Sequence, residues 1–542
     1  MTNQPKQQWG SRLGVILAVS GSAVGLGNFL RFPGNAAENG GGAFMIPYFL
    51  ALLLLGIPIG WAEWTMGRYG GRKGFHSAPA ILGIWAKGAI GRYLGVFGVL
   101  IPLGVYFYYV LIETWCLYFV LQYFGPAFGI GIDATAPIEE QVKVTGDFFT
   151  QMTGAAKNGV LFSQPGGGVH SIVWTFLVVA SINIFFVFRG LSKGIEAVCK
   201  AAMPIMAILG VIILVRVLTL GTPDPAKPDQ SVMDGLGYLW NPQLDKLTDF
   251  KTWLAASGQI FFSLSVGFGV IINYSSYMKK KDDVVLSGLT ASATNEFFEV
   301  ALGGLITVTA SIVFVGVAVT QAGQGGTMSL GFKTLPMVFA QMPGGWIFGG
   351  SFFLILFLAA ITSSLSMLQP TKAFVEESLG VDRTKSTAIV LGWGLIGNFF
   401  VMWFSKDLVA LDTIDFWVGT FFILVVAGVQ IVAFGWVFGV DKGLKEAHEG
   451  SSMRIPAIFG FIMKYVSPTF LLIVVVGFCI NNAPGYVENL FADTEAASDA
   501  RKTWVLLLLT IAALATLVTI GAKRWRAQGL DLDGERGVED GN

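Results

Sequence analysis

Long apolar runs separated by short polar joints fill the chain, and their lengths predict about twelve membrane helices, each near the ~20 residues that a bilayer's hydrocarbon core requires. The runs fall at 13–37, 42–66, 91–124, 169–187, 195–217, 252–278, 286–314, 346–375, 385–404, 411–438, 456–480 and 503–523. The first is interrupted by Gly21-Ser22-Ala23-Val24-Gly25-Leu26-Gly27-Asn28-Phe29-Leu30-Arg31. Each glycine costs a helix about 1 kcal/mol against alanine. Backbone that leaves the helix at membrane depth persists only where it is buried in protein or lines a wet cavity. A break here frees carbonyls where the first half-helix closes, near Ser22, and N–H groups where the second opens, near Gly27. A zwitterion together with Na⁺ is a ligand set that such a break could hold.

A lone Gly-x-Gly in a membrane helix more often serves close helix packing or a kink. It is no dinucleotide fingerprint, because position 30 is Leu and no βαβ unit surrounds it. A second copy changes the balance. Ser265-Val266-Gly267-Phe268-Gly269 repeats the Val-Gly-x-Gly core inside the run 252–278, and paired interruptions in two halves point to a transporter's midplane site. The two broken runs are an odd number of spans apart, so they cross the membrane in opposite directions. Spans 1–5 (residues 1–217) and 6–10 (218–440) then form an inverted repeat, with spans 11 and 12 (441–528) appended. The tail, 529–542, is polar and acidic and is expected to be disordered.

Composition agrees with a polytopic all-α membrane protein. Of 542 residues, 54% are hydrophobic and 13% charged, with a mean hydropathy of +0.65, against about 25% charged in soluble domains. Net charge is zero, which argues against nucleic acid as a partner. Basic residues in short joints (Lys6 and Arg12; Arg68, Arg72, Lys73, Lys87 and Arg92; Arg189, Lys193 and Lys200; Lys279 to Lys281; Lys523, Arg524 and Arg526) collect on one side, which places both termini in the cytoplasm. Glu63, Glu113 and Glu296, carboxylates within the spans, read as structural, bonding backbone at helix breaks. Cys116, Cys199 and Cys479 all sit in apolar runs and read as small buried hydrophobes. His76, His170 and His448 lie far apart outside the spans, so no His-based metal site is expected. No His/Glu, Ser/Lys or paired-Asp constellation suggests an enzyme. The first span is full length, so no cleavable signal is expected. The lone sequon, Asn273-Tyr274-Ser275, falls in the cytoplasmic half, which leans towards a bacterial inner membrane.

Trp9, the stretch Gly21–Pro33, Asn39-Gly40-Gly41-Gly42-Ala43-Phe44, Gln259-Ile260-Phe261-Phe262-Ser263-Leu264-Ser265 and Thr362-Ser363-Ser364 closely resemble the neurotransmitter:sodium symporter family, above all its bacterial amino-acid members of the LeuT fold. The resemblance covers nearly the whole chain. It implies broken helices 1 and 6, a lipid bilayer, sodium ions and an amino-acid substrate, with a homodimer as an option.

Two Na⁺ sites are implied. The first uses the Ala23 carbonyl, Asn28, Ser263, Asn295 and the substrate's carboxylate. The second uses carbonyls of Gly21, Val24 and Ala359 with the hydroxyls of Thr362 and Ser363. Taken alone, those two hydroxyls would read as back-bonding to their helix. Family members more often carry Thr at position 263. The resemblance sets the substrate carboxylate against the N–H groups of Leu26 and Gly27 and the Tyr109 hydroxyl. The ammonium faces carbonyls of Ala23, Phe262, Ser263 and Ser265. Monoamine-carrying members have Asp where this chain has Gly25, which leaves the charge to an α-amino acid. Val105, Tyr109, Phe262, Ser265, Phe268, Ser363 and Met367 form an uncharged side-chain pocket, in which a charged side chain would be buried unpaired. Met367 replaces Ile of the leucine-type pocket.

The resemblance also implies an outer gate of Arg31 with Asp415 above the lid residues Tyr109 and Phe262, and an inner gate of Lys6 with Glu377 near Trp9, Ser276 and Tyr277. Snorkelling to headgroups is the other reading of Lys6. Chloride-dependent relatives have Ser at position 299 and bind Cl⁻ among residues matching Tyr48, Gln259, Ser263 and Asn295. Here Glu299 supplies a fixed carboxylate, so transport is expected to be chloride-independent. The expected activity is Na⁺-coupled import of a neutral amino acid by alternating access, with Gly194 and Pro204 of span 5 as weak points for inward opening. The alternatives are a proton-coupled transporter of the same fold, or an amino-acid sensor or channel.

Overall fold

The computed structural model describes residues 9–125, 130–164, 166–321, 327–481 and 483–534. Among them it is a bundle of helices whose one extended pairing is an isolated bridge, Gly41 to Pro242. Among the described residues nine helices are long and apolar enough to cross a membrane, and one bent pair, Leu13–Ala23 with Gly27–Glu38 at 46°, adds a tenth. Span 1 is that bent pair. Span 2 is Gly42–Arg72, span 3 Phe97–Phe124, span 7 Val284–Thr320, span 8 Gly345–Leu379, span 9 Arg383–Trp403, span 10 Lys406–Ala447, span 11 residues 457–481 and span 12 Glu495–Ala527.

The three remaining spans complete the set in unexpected ways. Spans 4 (Ser171–Gly190) and 5 (191–218) run on without a loop. Gly190 leaves the helical conformation between them, at φ 75 and ψ −163, a conformation that L side chains avoid. Span 6 is no continuous helix but two pieces, Phe250–Ser263 and Val270–Ser275. Helices Ala78–Trp85, Ile138–Thr153 and Val232–Trp240, which no apolar run predicted, fill the joints after spans 2, 3 and 5.

Spans 3 and 8 pack along much of their length at the centre of the bundle. The first and last described residues, Trp9 and residue 534, sit at one end, hereafter the terminal end. Trp9 Nε1 donates to the Tyr274 carbonyl at 3.0 Å, and Trp525 lies edge-on to Phe75 at 5.6 Å. The tail departs from its expected disorder through residue 534. Asp531 pairs with Lys73 at 2.6 Å, Asp533 with Arg92 at 2.7 Å, and Leu532 is buried. Residues 535–542 lie outside the described part. Cys116 and Cys199 are buried, but Cys479 is exposed on the outside of span 11, a correction to its reading as a buried hydrophobe.

Candidate functional site

Span 1 ends its first half at Ala23. Val24 makes a last helical bond to Ser20 at 2.7 Å and then turns extended, at φ −71 and ψ 99. The Gly25 amide, left without a helical carbonyl, donates instead to Asn28 Oδ1 at 2.8 Å. The second half opens at Gly27 in a wide-turn segment, Gly27–Arg31. Span 6 breaks differently. Ser265, Gly267 and Gly269 all adopt positive φ, at 54, 80 and 75. A Cβ on Gly267 would come within 2.9 Å of the Ile423 carbonyl, so glycine is required there. The matching pair Gly25 and Gly27 is not left-handed. The repeated motif therefore encodes two different breaks.

Glu63 of span 2 braces the second break: its Oε1 accepts from the Gly267 amide at 3.3 Å and from Gln430 Nε2 at 2.7 Å. This matches the expected backbone role. Glu113 departs from it, accepting from the Asn183 side chain at 3.0 Å, and Glu296 accepts from the Tyr48 hydroxyl at 2.8 Å.

The two breaks meet at one carbonyl. Ser22 O accepts from Ser363 Oγ of span 8 at 3.1 Å and from Ser265 Oγ at 3.4 Å. Ser363 Oγ also bonds Ala359 O at 3.1 Å, and Thr362 Oγ1 bonds the same carbonyl at 3.0 Å. Gly21 faces Thr362, whose Cβ is 3.6 Å from where a Cβ on Gly21 would be. Gly21, Ala359, Thr362 and Ser363 are thus brought together as neutral oxygens or their neighbours, a donor type that fits Na⁺. Among the described residues there is no cluster of three or more His, Cys, Asp or Glu side chains suited to another metal.

Beside this group, Leu26 N–H donates to the Tyr109 hydroxyl at 3.1 Å. A Cβ on Gly25 would lie 2.7 Å from that hydroxyl and 2.9 Å from Ser363 Oγ. The Phe262 ring covers Gly27 and meets Phe268 edge-on at 5.7 Å. Val105 and Met367 are buried.

A fully buried polar network lies on the other side of Asn28. Asn28 Nδ2 donates to Asn295 Oδ1 at 2.8 Å and to Glu299 Oε2 at 3.2 Å. Asn295 Nδ2 donates to Glu299 Oε2 at 3.0 Å and to Ser263 Oγ at 3.4 Å. Gln259 Nε2 reaches Glu299 Oε1 at 2.7 Å and the Gly27 carbonyl at 3.3 Å. Asn28, Ser263, Asn295 and Glu299 are therefore one hydrogen-bonded unit.

Toward the far end, Arg31 stacks 4.3 Å over Phe262, bonds Thr420 Oγ1 at 3.1 Å and lies 3.8 Å from Asp415. Asp415 in turn accepts from the Tyr108 hydroxyl at 2.6 Å. A cavity of about 50 Å³ between Phe262 and this pair is lined by Leu30, Tyr109, Ile112 and Met328 among others. A vestibule of about 670 Å³ opens beyond it, past Asp412, Phe416 and Trp504.

At the terminal end the expected grouping is described in part. Lys6 lies outside the described residues. Trp9 contacts Tyr274, at 5.1 Å between rings, in the same turn as Ser276 and Tyr277. Those two meet His76, which stacks on Tyr277 at 4.3 Å and reaches Ser276 Oγ through Nδ1 at 2.9 Å. Glu377 accepts from the His76 amide and the Ser77 hydroxyl. It sits at the start of helix Ala78–Trp85, for which Ser77 is the N-cap and Pro79 the second residue. The Ser-x-Pro signal of that helix start was available in the sequence, whereas His76 carried no signal of its own.

A profile of the sodium:neurotransmitter symporter family matches residues 6–129 and 132–524. An uncharacterized sodium-dependent transporter of Methanocaldococcus jannaschii is 30% identical over 479 residues, 88% of this chain and 91% of that protein. One of Haemophilus influenzae is 27% identical over 505 residues, 90% and 99% of the two chains. The crystal structure of MhsT in complex with L-phenylalanine is similar at a TM-score of 0.72 and 27% identity, over 87% of this chain and 99% of MhsT.

Proposed function

The chain belongs to the sodium:neurotransmitter symporter family, and from that premise we infer that it imports a neutral, largely apolar α-amino acid together with two Na⁺, independently of chloride. It is a sodium-coupled, multi-pass membrane transporter of the LeuT fold, not an enzyme. The observation that carries the substrate reading is the geometry at Gly25. An N–H at the opened start of a half-helix, Leu26, already engages the Tyr109 hydroxyl at 3.1 Å, and position 25 offers no carboxylate of its own. A ligand there must bring its own anionic group, as an amino acid does and a monoamine does not. The L-phenylalanine bound to MhsT supports an apolar side chain among Val105, Phe262, Phe268 and Met367.

The first Na⁺ is carried beside Asn28, Ser263 and Asn295, and the second among Gly21, Val24, Ala359, Thr362 and Ser363. Glu299 takes the donors of Gln259 and Asn295 that would otherwise hold an anion, which supports chloride independence. Arg31 with Asp415 closes the outer side. The terminal end, with Lys73 and Arg92 paired to the tail, is cytoplasmic in a plasma (inner) membrane. Spans 1–5 and 6–10 form the inverted repeat. A tenfold Na⁺ gradient with 100 mV supplies about 3.7 kcal/mol per ion, so two ions support roughly a 10⁵-fold substrate gradient.

The test is uptake of labelled neutral amino acids into proteoliposomes under an imposed Na⁺ gradient. Concentrative uptake that vanishes in choline and persists in gluconate is expected. Uptake indifferent to Na⁺, or dependent on chloride, would refute the corresponding part.

A further inference from the structure

Glu196, in span 5 two residues after Gly194, has a side chain only 2% exposed. Its Oε2 accepts from the Gly10 amide at 3.0 Å, and its Oε1 pairs with Lys200 Nζ at 2.6 Å. Gly10 lies just before the N-cap of span 1, Ser11, so the carboxylate also faces the positive end of that half-helix. The first turn is cut to receive it. A Cβ on Gly10 would lie 3.2 Å from Oε1, and one on Gly14 would overlap the Glu196 carboxyl group outright. On the opposite side, the preceding residue Trp9 is held by the Tyr274 carbonyl of span 6 at 3.0 Å. Neither Glu196 nor these glycines belong to the substrate or ion groups described above.

We propose that Glu196 is the latch of the inner gate. It is a positioning residue that binds the first half of span 1 to span 5, so that the two must separate together when cargo is released at the terminal end. The inference rests on the alternating-access reading. Lys200, 44% exposed, gives the carboxylate a partner that travels with it. Unlatching therefore breaks one hydrogen bond, from the Gly10 amide, without stranding a charge. Closing re-seats the carboxylate against Gly10 and Gly14.

Cys199 reports the separation. Its Sγ is buried 2.8 Å from where a Cβ on Gly21 would be, on span 5 just past Glu196, so it becomes reachable only if span 1 moves off span 5. In proteoliposomes of the full chain treated with N-ethylmaleimide, modification of Cys199 is read by peptide mass. The unsubstituted protein is expected to be protected by Na⁺. Glu196→Ala raises the Cys199 rate in Na⁺ about tenfold, the scale of a hydrogen bond to a charged group. Glu196→Gln, which keeps an acceptor, raises it less. Gly14→Ala, with Glu196 intact, raises it by pushing from the other side, and the double variant is no faster than Glu196→Ala alone. Unchanged labelling in Glu196→Ala and Glu196→Gln with Na⁺ protection intact overturns the latch, as do fully additive effects in the double variant. Absence of any Na⁺ effect on Cys199 in the unsubstituted protein overturns the alternating-access reading itself, and the latch with it.

Discussion

Replacing Glu299 by Ser removes a fully buried negative charge from the network of Asn28, Asn295 and Gln259. Both asparagines donate to Glu299 through Nδ2, at 3.2 and 3.0 Å, while Asn28 Oδ1 accepts from the Gly25 amide and Asn295 Oδ1 from Asn28 Nδ2, each keeping a second lone pair for a cation. For a Na⁺ taken at about 6 Å from the carboxylate, the attraction at an effective dielectric of ~20 is about 3 kcal/mol. Its loss weakens Na⁺ binding roughly 100-fold. The vacated space keeps the Gln259 and Asn295 donors and gains a serine hydroxyl, a set that can receive a chloride ion and restore the missing charge. The assay is the Na⁺ concentration for half-maximal amino-acid uptake, measured in chloride and in gluconate. The unsubstituted protein should give one value in both. Glu299→Ser should need roughly 100-fold more Na⁺ in gluconate and recover most of that in chloride. A Glu299→Ser protein whose Na⁺ requirement moves less than about threefold in gluconate would refute the electrostatic reasoning.

Ser363→Ala deletes the hydroxyl that bridges Ser22 O and Ala359 O. Its steady-state accumulation ratio should fall from the two-ion limit of roughly 10⁵ towards the few hundredfold of one ion, with a Na⁺ Hill slope near one; an unchanged ratio would count against the second site. Gly25→Ala forces a methyl to within 2.7 Å of the Tyr109 hydroxyl, so the substrate KM should rise about tenfold or more while thermal stability changes little. Gly267→Ala must hold φ near 80 and press on the Ile423 carbonyl. It should destabilise the fold by about 1–3 kcal/mol, seen as a lower melting temperature than that of Gly25→Ala. Equal melting temperatures would show that the span 6 break is not strained.

The sequence made the apolar spans and the position of the first break legible, because both follow from hydrophobic length and glycine placement. The close of one half at Ala23 and the opening of the next at Gly27 fall where the free carbonyls and amides were expected. It also marked Glu63, since a carboxylate within a span needs a partner and a broken helix supplies one. It did not distinguish the two Gly-x-Gly copies, whose backbones are set by neighbours: Gly267 by Ile423, Gly25 by Asn28. The single-residue break at Gly190 was hidden among the basic residues of a short joint. The docking of residues 530–533 escaped because its partners Lys73 and Arg92 lie more than 400 positions away, and an acidic, polar segment on its own reads as solvated. Helix Ile138–Thr153 is too short in apolar run to register beside membrane spans.

That docked segment has a practical side. Asp531 is anchored to Lys73, three residues before the His76 that rests on Tyr277 of span 6, and Leu532 and Asp533 to Arg92 of helix Ala89–Leu94. A fluorescent protein or affinity handle grafted behind residue 534 would hang its weight from the doorway rather than from an idle thread. Turnover measured on such a fusion would carry the drag of its cargo, and high salt, by loosening both acidic anchors, would lighten it.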